Sequence, residues 1–119
     1  MEVLIDLHCH VLPGIDDGPG TLDESLSLCR VAVSAGIETI VATPHVSWRY
    51  RNSAEAIARA CGNLNTAVAA EGLPLTILPG AEIALSLAAE LDDAELQALR
   101  LGSGELLKTH REECHHRWS

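Results

Sequence analysis

Three short apolar runs, Val3 to Leu7, Ile37 to Ala42 and Leu75 to Leu78, alternate with two stretches of helical period, and this alternation constrains the fold more than any other feature. Repeated strand and helix units of this kind build parallel sheets through right-handed crossovers. The helical stretches carry their own boundary signals. Thr21-Leu22-Asp23-Glu24 has the form of a capping box, Leu22, Leu26, Cys29 and Val33 make one apolar stripe, and Gly36 supplies a left-handed stop. Ser53 caps the second helix, Ile57, Cys61, Leu64 and Val68 form its stripe, and Gly72 ends it. Ile37 to Ala42 is β-branched and almost wholly apolar, which predicts a strand buried on both faces. Asp92-Asp93-Ala94-Glu95 predicts a short helix ending near Leu101-Gly102.

Each apolar run leads into residues that bind metals. The first ends in His8-Cys9-His10, where alternation along an extended backbone aims both imidazoles to one side, and a turn-forming loop with Asp16 and Asp17 follows. The second ends in Thr43-Pro44-His45, and the third in Pro79-Gly80-Ala81-Glu82-Ile83. Parallel strands place these ends on one edge, where α/β folds carry their chemistry. A single H-x-H or a lone glutamate is ordinarily a solvated surface feature. Their recurrence at successive strand ends argues for a site, and a glutamate between Ala81 and Ile83 is costly to bury without a cation. The candidate ligands are therefore His8, His10, Asp16 or Asp17, His45 and Glu82. Mixed imidazole and carboxylate donors suit Zn, Mn or Fe better than Ca or Mg, and bridging carboxylates favour more than one ion. The loop Ser47-Trp48-Arg49-Tyr50-Arg51 adds two guanidinium groups, which either bind an anionic substrate or belong to an ordinary exposed loop.

Composition removes several alternatives. A chain of 119 residues is one domain at most and falls below the about 200 residues of a closed α/β barrel. Hydrophobic residues make up 47% with no Phe, so the core must be built from Leu, Ile, Val and Ala. A net charge of -9 argues against nucleic acid as a partner. The absence of a basic leader and of a long apolar segment predicts a cytoplasmic protein with no membrane span. Cys9, Cys29, Cys61 and Cys114 include no C-x-x-C pair, and Cys29 and Cys61 fall on apolar helix faces. A thiolate nucleophile in a loop of the form C-x5-R is disfavoured, because Ile15, Ala35 and Ala67 follow the first three cysteines at that spacing and Cys114 runs out of chain.

The D-L-H-C-H opening, the G-I-D-D-G-P loop, T-P-H and G-A-E-I together resemble the polymerase and histidinol phosphatase (PHP) superfamily. Within it, the pattern is most similar to the bacterial protein-tyrosine phosphatases associated with capsule and exopolysaccharide synthesis. The resemblance covers about residues 3 to 100. It implies the N-terminal part of a distorted (β/α)7 barrel, with a cluster of two or three divalent ions, commonly manganese, that activates a hydroxide for attack on phosphotyrosine. It also implies His8, His10 and Glu82 as ligands of one ion, Glu82 as a bridge, and Asp17 with His45 as ligands of another. The implied substrates are phosphotyrosine proteins, in particular tyrosine autokinases that control surface polysaccharide assembly. Two other readings remain: a PHP phosphatase for a small phosphomonoester such as histidinol phosphate, and a non-catalytic metal-binding fragment that acts through another subunit.

The resemblance stops after Leu101, which divides the chain into a partial PHP domain, 1–101, and a divergent tail, 102–119. The segment Lys108 to Ser119 shows no apolar strand and reads as a disordered charged tail, with His110, Cys114, His115 and His116 as further donors in principle. The expectation is truncation, through a frameshift near Gly102 to Leu107, leaving an open barrel edge prone to self-association.

Overall fold

The computed structural model describes residues 4–99 and a short strand at 108–110. In order, the elements are strand β1 (Leu4–Cys9), helix α1 (Leu22–Ser34), β2 (Ile37–Ala42), β3 (His45–Val46), α2 (Ala54–Ala70), β4 (Thr76–Pro79), β5 (Glu82–Ala84), α3 (Leu85–Ala88), α4 (Asp93–Ala98) and β6 (Lys108–His110). They make two parallel sheets, one in the order β1-β2-β4 and one in the order β3-β5-β6. The fold is α/β with parallel strands, as the alternation predicts.

Both long helices form where their signals place them. Thr21 accepts a hydrogen bond from the Glu24 amide while the Glu24 carboxylate takes the Thr21 amide, and Gly36 has φ of 90°. Ser53 accepts from the Ala56 amide, and Gly72 has φ of 72°. Ile57, Cys61, Leu64 and Val68 are all buried against Ile40, Ala42, Ile77 and Ile83, joined by Leu26 and Cys29 from α1. Each large aliphatic chain so buried contributes about 1.5–3 kcal/mol, so the α2 stripe is a main source of stability.

Several expectations are corrected. Leu22 stands at the first helical position and is 44% exposed, so the α1 stripe begins at Leu26. In β2 only Ile40, Val41 and Ala42 are buried; Ile37 is partly buried against the core and Glu38 is exposed. Strand β1 runs on to Cys9, and β4 is shifted one residue from the predicted run. Strands β3 and β5 and helix α3 have no separate sequence signal, being too short for any period to show. Asp92 caps α4 with Glu95 in a second capping box, but that helix ends at Ala98. A strand is present in the segment expected to have none: β6 pairs with β5, with Lys108 opposite Glu82. The remainder of 102–119, including Cys114, His115 and His116, lies outside the described residues, as does Val3.

Two breaks position the site. After Ala42 the chain bends through Thr43-Pro44 into β3, and after Pro79 it bends through Gly80-Ala81 into β5. The same two chain segments stay paired across the breaks: β2 with β4 below them and β3 with β5 above, with His45 directly opposite Glu82. At the other margin β1 is an edge strand whose Leu4, Ile5 and Leu7 are 42%, 56% and 54% exposed.

Candidate metal centre

Strand β1 delivers His8 near its end and His10 immediately beyond it, while the β3/β5 register brings His45 and Glu82 to the same edge. His8 Nε2, His10 Nε2 and Glu82 Oε1 converge, at separations of 3.3 Å between the imidazoles, 2.9 Å from His10 to Glu82 and 3.4 Å from His8 to Glu82. Glu82 is 1% exposed. A second group, His10, Asp16, Asp17 and His45, adjoins the first through the shared His10, whose ring centroid is 4.5 Å from that of His45.

The two neighbouring aspartates have different surroundings. Asp16 Oδ2 accepts from His10 Nδ1 at 3.0 Å and from the His45 amide at 2.8 Å, while Oδ1 accepts from the Gly18 amide at 2.9 Å. Asp17 is largely exposed, with Oδ1 3.4 Å from His45 Nε2. Asp16 is thus committed to protein donors, and Asp17 is the more open carboxylate. Gly18 makes this loop possible, since a Cβ there would stand 2.8 Å from the His10 carbonyl oxygen.

The electrostatics follow from these contacts. Burial by itself lowers the His10 pKa, but hydrogen bonds to Asp16 and Glu82, and their charges, outweigh it and raise the value from 6.5 to about 9. Burial raises the Asp16 pKa, yet the His10 hydrogen bond and the His45 and Gly18 amides leave it below its ordinary value. The upward shift and the two carboxylate contacts favour a proton on each His10 nitrogen, one toward Asp16 and one toward Glu82. A metal held at Nε2 would take the place of the second proton, with Asp16 keeping the first and orienting the ring in a carboxylate–histidine–metal arrangement.

Three supporting groups were not singled out by sequence reasoning. Asp6 Oδ1 accepts from the His8 amide at 2.9 Å. Asn52 Nδ2 donates to both the Ile15 and His45 carbonyls, tying the G-I-D-D loop to β3. Tyr50 lies against the His45 ring with centroids 6.1 Å apart and planes 23° apart. Only Asp6 had a visible signal, alternation with His8 on β1. The two candidate arginines separate: Arg49 lies over the Tyr50 ring at 5.3 Å, whereas Arg51 lies over Trp48 at 5.1 Å and lines a cavity of about 330 Å³ with Leu87, Leu91 and Glu95.

The donor set fits divalent transition ions. Bonds of about 2.1 Å from nitrogen and oxygen to one tetrahedral ion put neighbouring donors about 3.4 Å apart, close to the separations among His8, His10 and Glu82. A parallel α/β scaffold that gathers imidazoles and carboxylates on one strand edge defines this as a chain with a candidate metal site of the histidine–carboxylate type. The chain belongs to the capsular polysaccharide synthesis CpsB/CapC family, which it matches over residues 4–108. It is 43% identical over 99 residues to the tyrosine-protein phosphatase YwqE of Bacillus subtilis, covering 82% of this chain and 39% of that protein. It is 33% identical over 84 residues to the putative tyrosine-protein phosphatase CapC of Staphylococcus aureus, covering 70% of this chain and 33% of that protein. A solved structure described with YwqE and the Streptococcus pneumoniae CpsB as unique metal-dependent tyrosine phosphatases superposes with a TM-score of 0.80 at 38% identity, covering 89% of this chain and 43% of that one. The chain therefore spans less than half the length of the relatives it matches.

Proposed function

We propose that this chain carries the N-terminal metal-binding part of a metal-dependent phosphatase that hydrolyses phosphotyrosine on proteins, in the regulation of capsule or exopolysaccharide synthesis. The observation that carries the reading is the convergence of His8, His10 and Glu82 beside Asp17 and His45, in a chain whose relatives are named tyrosine-protein phosphatases. His8, His10 and Glu82 hold one ion, with Glu82 as the bridge, and Asp17 with His45 hold a second. The exposure of Asp17 and the full engagement of Asp16 support that division. Manganese is the proposed ion, a tyrosine autokinase the proposed substrate and the cytoplasm the proposed location. No described helix is long and apolar enough to cross a membrane.

Bound ions of this kind supply a lowered pKa for water and neutralise charge on a phosphoryl group. The chain's own residues do the positioning. Asp16 holds His10 through Nδ1, so that Nε2 presents its lone pair once its proton has left. Asn52, and the hydrogen bond from the His45 amide to Asp16 Oδ2, keep the second group in register with the first. The fold we propose is the opening of a (β/α)7 PHP barrel, whose later units pack on the exposed face of β1; the exposure of Ile5 and Leu7 supports this.

The test is hydrolysis of a phosphotyrosine peptide by the purified chain with Mn added, compared with a His8→Ala variant. The expected result is Mn-dependent release of phosphate that the variant lacks. Equal rates for the two proteins would overturn the reading.

A further inference from the structure

The structure distinguishes the two arginines that sequence places side by side, and the difference names a recognition residue. Among the described residues, Arg30 is paired with Glu71 and Arg59 with Glu55, while Arg49 and Arg51 make no ion pair. In a chain with a net charge of -9, two guanidinium groups held only against aromatic faces are cations kept available for an anion. Only one of them is joined to the metal centre. Arg49 rests on Tyr50, Tyr50 rests on His45, and His45 faces Asp17. Arg51 instead leans on Trp48 and lines the cavity toward α3 and α4.

The turn that carries Arg49 is tightly built. The Ser47 amide donates to the Tyr50 carbonyl at 2.9 Å, the Tyr50 amide donates to Ser47 Oγ at 3.1 Å, and the Asn52 amide closes on the Tyr50 carbonyl at 2.9 Å. Asn52 then anchors the turn to the His45 carbonyl. The turn fixes where the Arg49 side chain starts, and its contact with the Tyr50 ring limits the entropy lost on binding.

We propose that Arg49 recognises the phosphate of the substrate at the rim of the metal centre, and that Tyr50 is the positioning residue that holds it beside His45. The proposal rests on the phosphatase reading for its ligand, an aryl phosphomonoester. A planar fork matches two phosphate oxygens, so the match is lost in part with lysine. Tyr50 acts through its ring, so Tyr50→Phe keeps the function and Tyr50→Ala does not.

The experiment measures equilibrium binding of phosphotyrosine, presented as its non-hydrolysable phosphonate, and of tyrosine and inorganic phosphate, to the Mn-loaded 119-residue chain by calorimetry. The wild type is expected to bind phosphotyrosine and inorganic phosphate but not tyrosine. Arg49→Ala and Tyr50→Ala are expected to weaken phosphotyrosine binding by about tenfold to a hundredfold, Arg49→Lys by less, and Tyr50→Phe and the remote Arg59→Ala not at all. Unchanged binding by Arg49→Ala overturns the proposal, as does absence of phosphotyrosine binding by the folded wild type, or a loss confined to Arg51→Ala. Binding that depends on Arg49 without any hydrolysis would leave this inference standing and remove the phosphatase reading. Hydrolysis with an unaltered kcat/KM in Arg49→Ala would do the reverse.

Discussion

His10 Nε2 lies 2.9 Å from Glu82 Oε1, a buried contact between residues 72 positions apart that joins the end of β1 to the start of β5. Two elements far apart in sequence meet through side chains suited to a cation. The contact also gives the site its measurable properties.

Glu82→Gln preserves volume and one acceptor while removing the charge that a cation needs. The expected outcome is loss of one bound Mn equivalent, read by calorimetric or magnetic-resonance titration. Asp16→Asn acts differently, because Asp16 holds the far nitrogen of His10. It should keep the stoichiometry and weaken affinity by about tenfold to a hundredfold. Identical titrations for the two variants would contradict this division of labour.

The His10 pKa of about 9, raised from 6.5, sets a pH dependence with a definite sign. Because the folded-state value is the higher, the stability that the protonated ring contributes is complete below pH 6.5 and disappears as pH rises through 9. Urea melts of the metal-free chain should therefore show a falling midpoint across that interval. Mn affinity should move the other way, rising by about tenfold per pH unit in the same window, since binding expels the proton from Nε2.

Asn65 on α2 donates through Nδ2 to the Ile77 carbonyl at 2.8 Å and accepts the Ile77 amide at 2.9 Å through Oδ1. One side chain thus satisfies both backbone groups of a β4 residue. Asn65→Leu is nearly isosteric but leaves both unpaired, and each such group costs about 1–3 kcal/mol when buried. Thermal and urea melts should show destabilisation of that order; a neutral variant would mean that water replaces the amide without loss.

Burial pushes the Cys61 thiol up to about 11 and raises that of Cys29, where burial outweighs the nearby Arg30. Neither should react with a disulfide reagent near neutral pH until urea exposes it. The phosphatase activity proposed above should likewise survive thiol alkylation, since Ile15, Ala35 and Ala67 stand where a C-x5-R loop after Cys9, Cys29 and Cys61 needs arginine.

Much of this arrangement was legible in the sequence because it is written in local periods and caps. The Thr21 and Ser53 caps, the α2 stripe and the His8/His10 alternation each depend on residues within a turn or two of one another. Asn65, Asn52 and Tyr50 were opaque for the opposite reason: their partners lie across the fold, and an amide or phenol in isolation does not say which backbone it will meet. The pair Asp16 and Asp17 marks the boundary. Their spacing gave a carboxylate at the site, but only the amides of Gly18 and His45 show that Asp16 faces inward. The short strands β3, β5 and β6 escaped notice because two or three residues carry no pattern.

The breaks at Thr43-Pro44 and Gly80-Ala81 have a consequence for how such a chain can vary. His45 and Glu82 are ladder partners, and successive strand residues face opposite sides, so inserting or deleting one residue at either break would rotate a donor out of the site. The core would survive, because β2 and β4 keep their own register below. Length in these two joints is therefore more tightly fixed than residue identity. Drift by substitution leaves the centre assembled, whereas a single-codon insertion or deletion dismantles it in an otherwise folded protein.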